Sequence, residues 1–540
     1  MIRNRYVHRL IHSLTYSGAA MPTDLTPRQR TGVLITMCLA LIAVVASVSG
    51  LNVALNDLAV ELDASTGQVL WIVNAYTLTL AALLLGIGEL GDRFGRRRVL
   101  MIGLAVFAVA SGAAAFADSA TMMIAFRALA GLGAAMIMPA TLSIITSVFP
   151  ADERGRAVGI WAGFAGAGGI LGLFVSAAII DAVTWPWLFA FPVIIAIASL
   201  VATIALVPES RNEHHDGYDL IGTVLSILAV GGVVLGIHEG PEIGWGEPLT
   251  VGSLIIGVLA SVGFVAWEWR TAVAHDAGAS IAPVLDVRIF SNRNLAAGSM
   301  SLVLVFMLVF GVFLVVLQYL QAVLDYSALQ AATGLLPMAV VMMGLSPSAP
   351  RLAERFSLRT VLVVASAGIT VGFVTLAMAS SDPSYWAILP GLLLVGAGVG
   401  LAMSPSTTAI TESLPAEKQG VASALNDTVR EVGSALGIAL IGSLLSSGYR
   451  SSIADTAETL PEPLAEPVEE GIGQALAVAG ELGPQGAELA TAARDAFLDG
   501  WATSMTVAAV LAAVTGVAAF VVAGRRPVVT PEPGQVLIDA

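Results

Sequence analysis

The chain has 540 residues, of which 56% are hydrophobic and only 12% are charged, a balance too apolar for a soluble globular domain. The net charge of -14 offers no basic surface to a nucleic acid. A single cysteine excludes an intrachain disulfide, and a single lysine, Lys418, leaves no Walker-type ATP site. The six histidines follow no metal-ligand spacing. We expect an all-α membrane protein that is not an enzyme and has neither cofactor nor metal.

Fourteen apolar stretches are each long enough to cross a lipid bilayer as a helix, which takes about 20 residues. We number them spans 1 to 14, and they start near residues 32, 68, 99, 120, 156, 186, 218, 250, 295, 328, 359, 385, 420 and 499. The polar segment before span 1 has no small-residue cleavage site at its junction, so span 1 is expected to be retained.

The basic residues indicate the orientation of the chain, because cytoplasmic loops carry an excess of Lys and Arg. With fourteen spans and a cytoplasmic N-terminus, all but four of the 25 basic residues fall on the cytoplasmic side. The exceptions lie within spans or in outer loops: Arg127, Arg430, Arg450 and Arg494. We therefore expect a multi-pass protein of the cell membrane with both termini in the cytoplasm.

A charged hairpin between spans 2 and 3, GELGDRFGRRRVL at 88–100, returns in weaker form between spans 10 and 11. Residues 90–100 align with residues 352–362 at an offset of 262, and FPADERG aligns with LPAEKQG at an offset of 265. Two segments that share nearly one offset indicate an internal duplication. The repeat steps by eight spans.

These motifs resemble those of the major facilitator superfamily, whose fold has two six-helix halves related by an axis along the membrane normal. GELGDRFGRRRVL is similar to the loop signature of that superfamily, and the fourteen spans resemble its drug:proton antiporter branch. The resemblance implies two six-helix halves with spans 7 and 8 inserted between them. The expected segments are a cytoplasmic head at 1–31, the N-terminal half at 32–208, the inserted helices and linkers at 209–292, the C-terminal half at 293–524 with an outer loop at 448–498, and a tail at 525–540.

The resemblance also assigns roles. Asp92 and Arg93 are expected to help lock the two halves together, and Arg127 of span 4 is expected in the central cavity. The candidates for the gating hairpin are Gly88, Gly91, Asp92, Arg93, Gly95, Arg96 and Arg97. A hairpin that only fixes membrane topology is the alternative.

Charges inside a span are functional candidates because a buried charge is expensive. They are Arg127 of span 4 and Asp427, Arg430 and Glu431 of span 13. The spacing of Asp427 and Arg430 predicts a pair that either is structural or changes protonation during transport. Candidates for the substrate cavity, each of which could instead be ordinary bundle core, are Asn52, Asn74, Tyr76, Trp161, Phe164, Phe310 and Gln318.

The chain departs from that branch where relatives carry carboxylates, since it has Ser47, Asn74 and Thr408 there. We expect a secondary transporter that exports hydrophobic small molecules such as drugs or antibiotics and is coupled to protons. The alternatives are a weakly coupled or uncoupled transporter of another class, such as lipids or amino acids, and a non-transporting membrane sensor.

Overall fold

The computed structural model of the chain describes residues 25–51, 54–212 and 217–524. Within these residues the regular secondary structure is helical, apart from one isolated bridge between Gly217 and Ile281. Fourteen of its helices are long and apolar enough to cross a membrane, which confirms the predicted number.

The first six spans and the inserted pair are Pro27–Leu51, Gly67–Phe94, Arg96–Ala114, Ala120–Val148, Ala151–Ala182, Trp185–Leu206, Leu220–Pro241 and Pro248–Asp276. The remaining spans are Arg293–Val323, Ala328–Phe356, Leu358–Ser381, Tyr385–Thr411, Ala416–Ala457 and Gly483–Val522. Every predicted start lies within five residues of the observed one except the last, which is at residue 483 and not near 499.

Most of the segment expected as an outer loop is helical. Span 13 continues to Ala457, and two short helices, Glu462–Glu470 and Ile472–Glu481, precede span 14. Tyr449 anchors the first of them, because its hydroxyl donates to the carbonyl of Val468 at 2.9 Å. The segment predicted as a loop therefore contains two short helices, and their apolar side chains are buried against the bundle.

The packing of the spans repeats with the same step of eight as the sequence. In the N-terminal half span 1 packs on spans 4, 5 and 6, and span 3 packs on spans 4 and 6. In the C-terminal half span 9 packs on spans 12, 13 and 14, and span 11 packs on spans 12 and 14. The halves meet through spans 2 and 13 and, at the equivalent place, through spans 10 and 5.

Glycine allows some of these helices to approach closely. A Cβ atom on Gly437 of span 13 would overlap the carbonyl oxygen of Met307 in span 9 and lie 2.7 Å from its carbonyl carbon. Since the neighbour is backbone, it cannot move aside without shifting the helix. Spans 9 and 13 therefore pack as one unit.

The inserted spans 7 and 8 lie at the edge of the bundle. They pack on each other, and span 7 also contacts spans 2 and 13. Apolar side chains of span 8 such as Ile255, Leu259 and Val262 are more than half exposed, as expected of a surface that faces lipid. Span 7 thus touches both halves.

Candidate functional site

The first charged hairpin holds the two halves together through Asp92. This buried side chain accepts hydrogen bonds from the amides of Gly420 at 2.7 Å and Val421 at 3.1 Å. The helix of span 13 begins at Gln419 and has no side-chain cap of its own. A carboxylate from one half therefore caps a helix of the other half, where free amides and the helix dipole favour a negative charge.

Arg96, and not Arg93, is the arginine that completes this contact. Its Nε and Nη2 atoms donate to Asp92 Oδ1 at 2.9 and 2.8 Å, and Nη2 also donates to the carbonyl of Ala416 at 2.9 Å. Arg93 instead lies over the ring of Tyr218, 5.9 Å from its centroid, beside the inserted helices. Sequence reasoning named both arginines, but only the fold decides which one crosses to the other half.

Arg97 and the hairpin glycines shape the turn. Arg97 donates from its backbone amide to Glu209 and from its side chain to the carbonyl of Ile204. Gly95 has a φ of 108°, which L side chains rarely adopt. Gly88 packs directly on Gly420. At Gly91 a Cβ atom would meet nothing within 4 Å, so the structure gives no steric reason for glycine there.

The second copy of the hairpin makes a weaker contact. Glu354, the repeat equivalent of Asp92, is exposed. In its neighbourhood the halves are joined by Ser346, whose hydroxyl donates to the carbonyl of Gly159 at 2.8 Å. Ser357 takes the place of Gly95 with a φ of 92°. We call the contact around Asp92 the first latch and the contact around Ser346 the second latch.

A second charged site lies further along span 13, inside the bundle. Arg430 Nη1 donates to Asp427 Oδ1 at 3.1 Å, so the predicted pair is formed. Both side chains are buried. The guanidinium lies over the rings of Trp161 in span 5, at 5.3 Å from its centroid, and of Phe306 in span 9, at 4.6 Å. Arg430 therefore connects the two halves through cation–π contacts.

The pair does not satisfy all of its polar atoms. Asp427 Oδ1 accepts from both Arg430 and Asn426, whereas Oδ2 has no hydrogen-bond partner within the described residues. Arg430 Nε is likewise unpaired there. Buried polar atoms are normally hydrogen-bonded. Asp427 Oδ2 can therefore bind a proton or accept from water or a ligand, and the Arg430 Nε–H can donate to water or to a ligand. Glu431 is only partly buried and follows on the same helix.

Arg127 forms a separate site within the N-terminal half. It is 1% exposed, donates to the carbonyl of Ile72 at 3.1 Å and to Ser47 Oγ at 3.1 Å, and lies 4.3 Å from the centre of the Tyr76 ring. Tyr76 is also buried, and its hydroxyl donates to the carbonyl of Val44. Ser47 stands where the sequence resemblance expects an acid, so the missing carboxylate is one that would face this arginine.

The other cavity candidates are scattered. Trp161 is buried and donates to Thr141 Oγ1 at 3.1 Å. Phe310 stacks on Phe306, and Phe164 packs against the main core. Asn74 lies beside Glu239 of the inserted span 7. Gln318 ends the α-helix of span 9, and Asn52 lies outside the described residues. Of these candidates, Trp161 directly contacts the Asp427–Arg430 pair and Phe310 adjoins it through Phe306.

Sequence reasoning missed two buried carboxylates in the inserted spans. Glu239 of span 7 is 4% exposed and Glu268 of span 8 is fully buried. A carboxylate inside a membrane span was the signal that could have identified each of them.

Comparison with known proteins gives one consistent result. Residues 37–438 match the profile of the Major Facilitator Superfamily. The multidrug efflux pump LfrA of Mycolicibacterium smegmatis is 34% identical over 92% of this chain and 97% of its own length. The methyl viologen resistance protein SmvA of Salmonella typhimurium is 31% identical over 88% of this chain and 94% of its own length. The tetracenomycin C resistance and export protein of Streptomyces glaucescens is 32% identical over 72% of this chain and 70% of its own length.

Solved structures agree with the fold. A bacterial homologue of the human lysosomal transporter Spinster, inward-facing and unoccupied, superposes with a TM-score of 0.59 at 17% identity and covers 92% of this chain and 98% of its own. The proton:xylose symporter XylE superposes with a TM-score of 0.58 at 14% identity, over 91% of this chain and 95% of its own.

Proposed function

Because the chain belongs to the Major Facilitator Superfamily, we propose that it is a secondary transporter that exports hydrophobic small molecules. Relatives that match most of its length are named for multidrug efflux, methyl viologen resistance and tetracenomycin C export. The fourteen spans make it a multi-pass membrane protein. The charged hairpins are proposed to face the cytoplasm, because basic residues concentrate at that end.

The observation that supports export best is the place of Arg430 between the halves. It is bound by Asp427 on its own helix and by the faces of Trp161 and Phe306, one from each half. Aromatic faces bind apolar and cationic molecules with little demand on shape. A substrate that enters between these rings would have to displace Arg430 from them, and the two halves would lose that connection.

Proton coupling is proposed to use Asp427. Export against a gradient requires a group inside the bilayer whose charge changes during the cycle. Asp427 has one oxygen paired with Arg430 and one without a partner among the described residues. If substrate displaces Arg430, Asp427 is left as a buried carboxylate without a counter-charge, and binding a proton would stabilise it. Substrate binding and proton binding would then occur at adjacent atoms.

The first test is a drug-susceptibility panel in an efflux-deficient bacterial host with and without this chain. The panel includes methyl viologen, tetracenomycin C and ethidium. We expect resistance to several hydrophobic compounds, and none in cells that produce the Asp92→Asn variant at equal level. A host that gains no resistance to any compound would contradict export of this class and favour a transporter of lipids or amino acids, or a sensor.

The second test uses proteoliposomes with ethidium as the probe. Asp427→Asn should abolish accumulation driven by a pH gradient and spare exchange down the ethidium gradient, because asparagine keeps the shape but cannot bind and release a proton. Glu431→Gln is the matched variant on the same helix and should retain gradient-driven accumulation. If both variants accumulate ethidium as the unmodified protein does, coupling at span 13 is wrong and uncoupled transport is favoured.

A further inference from the structure

A buried carboxyl pair joins the two inserted spans at the end of the bundle that carries the charged hairpins. Asp219 caps the helix of span 7 and is 2% exposed, while Glu268 of span 8 is fully buried. A Cβ atom on Gly222 would overlap Glu268 Oε1 and lie 2.8 Å from Asp219 Oδ2. The two carboxylate oxygens are therefore close neighbours in a water-poor place, where two negative charges repel strongly.

The two acids have unequal hydrogen-bond donors. Asp219 accepts from the Gly222 amide at 2.8 Å and from Trp267 Nε1 at 2.9 and 3.0 Å. Glu268 accepts only a long bond from the Leu285 amide, 3.3 Å, and its Oε1 atom has no hydrogen-bond partner in the described chain. Asp219 is thus the acid that keeps its charge, and Glu268 is the acid that lacks a donor.

Other charged groups face this pair from the neighbouring elements. Glu89 of span 2 adds a third carboxylate, whose Oε2 atom has no hydrogen-bond partner among the described residues. The opposing charges are Lys418, at the start of span 13, and Arg93, which lies over Tyr218 and interacts with Glu89. Burial raises the pKa of Tyr218, so it contributes no charge. Among the described residues three acids thus face two bases, which leaves one negative charge in excess there.

We propose that Glu268 binds a proton, which it shares with the ionised carboxylate of Asp219, and that this proton stabilises the first latch. The proton gives Glu268 an O–H group that can donate to the neighbouring oxygens. It also removes the excess negative charge. Among the described residues no group of three or more ligating side chains is arranged to hold a metal ion, so a proton fits the site better than a metal. This proposal is independent of Asp427 and of the transported substrate.

The linker between spans 8 and 9 connects the carboxyl pair to the latch. Glu268 holds the Leu285 amide, and two residues earlier the carbonyl of Pro283 accepts from Lys418 Nζ at 2.7 Å. Lys418 directly precedes the first turn of span 13, whose amides bind Asp92. An ionised Glu268 would attract Lys418 away from Pro283 and disturb that turn.

Two ion pairs brace the rest of the linker. Arg288 bridges Asp276 and Asp286, each at 2.7 Å, and holds the pKa of Asp286 below its usual range chiefly through its hydrogen bonds. These ion pairs fix the linker at Asp276, Asp286 and Arg288. A movement at Glu268 would therefore be transmitted toward Lys418.

Infrared difference spectroscopy of the purified full-length protein tests the proton directly. At neutral pH the unmodified protein should show a carboxylic acid carbonyl band that Glu268→Gln removes and the exposed control Glu470→Gln retains. Asp219→Asn should weaken the band, because it removes the charge that shares the proton. Glutamine copies a neutral carboxyl, so Glu268→Gln should also fold with an unchanged melting temperature. A band that survives in Glu268→Gln, or a variant that fails to fold, would overturn the proposal.

Thiol labelling tests the connection to the latch. In a Cys38→Ser background, Ser423→Cys places a buried thiol next to the first turn of span 13, where maleimide reacts only when the latch opens. Raising the pH should increase the labelling rate several-fold more when residue 268 is glutamate than in the Glu268→Gln variant. The thiol itself titrates equally in both proteins, so the ratio of their labelling rates is free of that effect. Equal pH dependence in the two backgrounds would show that Glu268 does not act on the latch.

Discussion

Asp92 of span 2 binds the amide of Gly420 in span 13 at 2.7 Å, across the boundary between the two halves. The same carboxylate is paired with Arg96, which reaches the carbonyl of Ala416 just before span 13. Opening the bundle at this end must therefore separate a buried ion pair from a helix N-terminus. At the second hairpin the buried hydrogen bond between the halves, from Ser346 to the carbonyl of Gly159, is neutral.

The first prediction compares the two hairpin acids. Asp92→Asn should destabilise the closed protein by about 3–5 kcal/mol, because it leaves Arg96 buried without its partner. Glu354→Gln, at an exposed position, should change stability by no more than about 0.5 kcal/mol. Thermal unfolding in detergent measures both, and labelling of Ser423→Cys in a Cys38→Ser background reports opening. Equal effects of the two substitutions would contradict an unequal pair of latches.

The second prediction concerns the buried charge of Arg127. Ser47→Asp should place a carboxylate beside Arg127 Nη1, which now bonds to Ser47 Oγ at 3.1 Å, and should raise stability by about 1.5–3 kcal/mol. Ser49→Asp, on a different face of the same helix, buries a charge without this partner and should lower stability. Melting temperatures of the two variants give the comparison. A loss in Ser47→Asp as large as that in Ser49→Asp would contradict it.

The third prediction tests the close packing of spans 9 and 13. Gly437→Ala should lower stability by about 1–3 kcal/mol, since the new methyl group meets the backbone of Met307. Gly442→Ala is the matched control on the same helix, because its Cβ atom would meet nothing within 4 Å. We expect a lower melting temperature for the first variant alone. Similar melting temperatures would show that the helices separate easily.

The fourth prediction is the topology. In a Cys38→Ser background, cysteines at the exposed positions Arg98 and Arg355 should be protected from an impermeant maleimide in intact cells, while a cysteine at Glu470 should react. Permeabilised cells provide the control, in which all three should react. Labelling of the hairpin positions from outside would reverse the orientation proposed from the basic residues.

Much of the architecture followed from sequence pattern because it is set by local and periodic signals. Apolar length predicted fourteen spans, the repeat offset predicted equivalent hairpins, and spacing predicted the Asp427–Arg430 pair. The roles of these site residues are predictions that the tests above address.

Partners distant in sequence could not be read in the same way. Whether Arg93 or Arg96 contacts Asp92 across the halves depends on how span 2 lies against span 13. The meeting of Asp219 with Glu268 requires the inserted spans to pack as a hairpin. Departures from the family pattern became interpretable only when Ser47 was found beside Arg127.

The unequal latches also imply an order in which water enters the bundle. Around Ser346 the buried hydrogen bond between the halves is neutral, and the nearby charges of Glu354 and Glu412 are exposed, so water already solvates them and the halves separate there most easily. Around Asp92 each separated group is charged or is a helix amide, and separation becomes favourable only when water is already present to solvate it. Hydration should therefore begin between spans 5 and 10 and reach spans 2 and 13 last. The two halves would then rotate apart about the contact at Asp92.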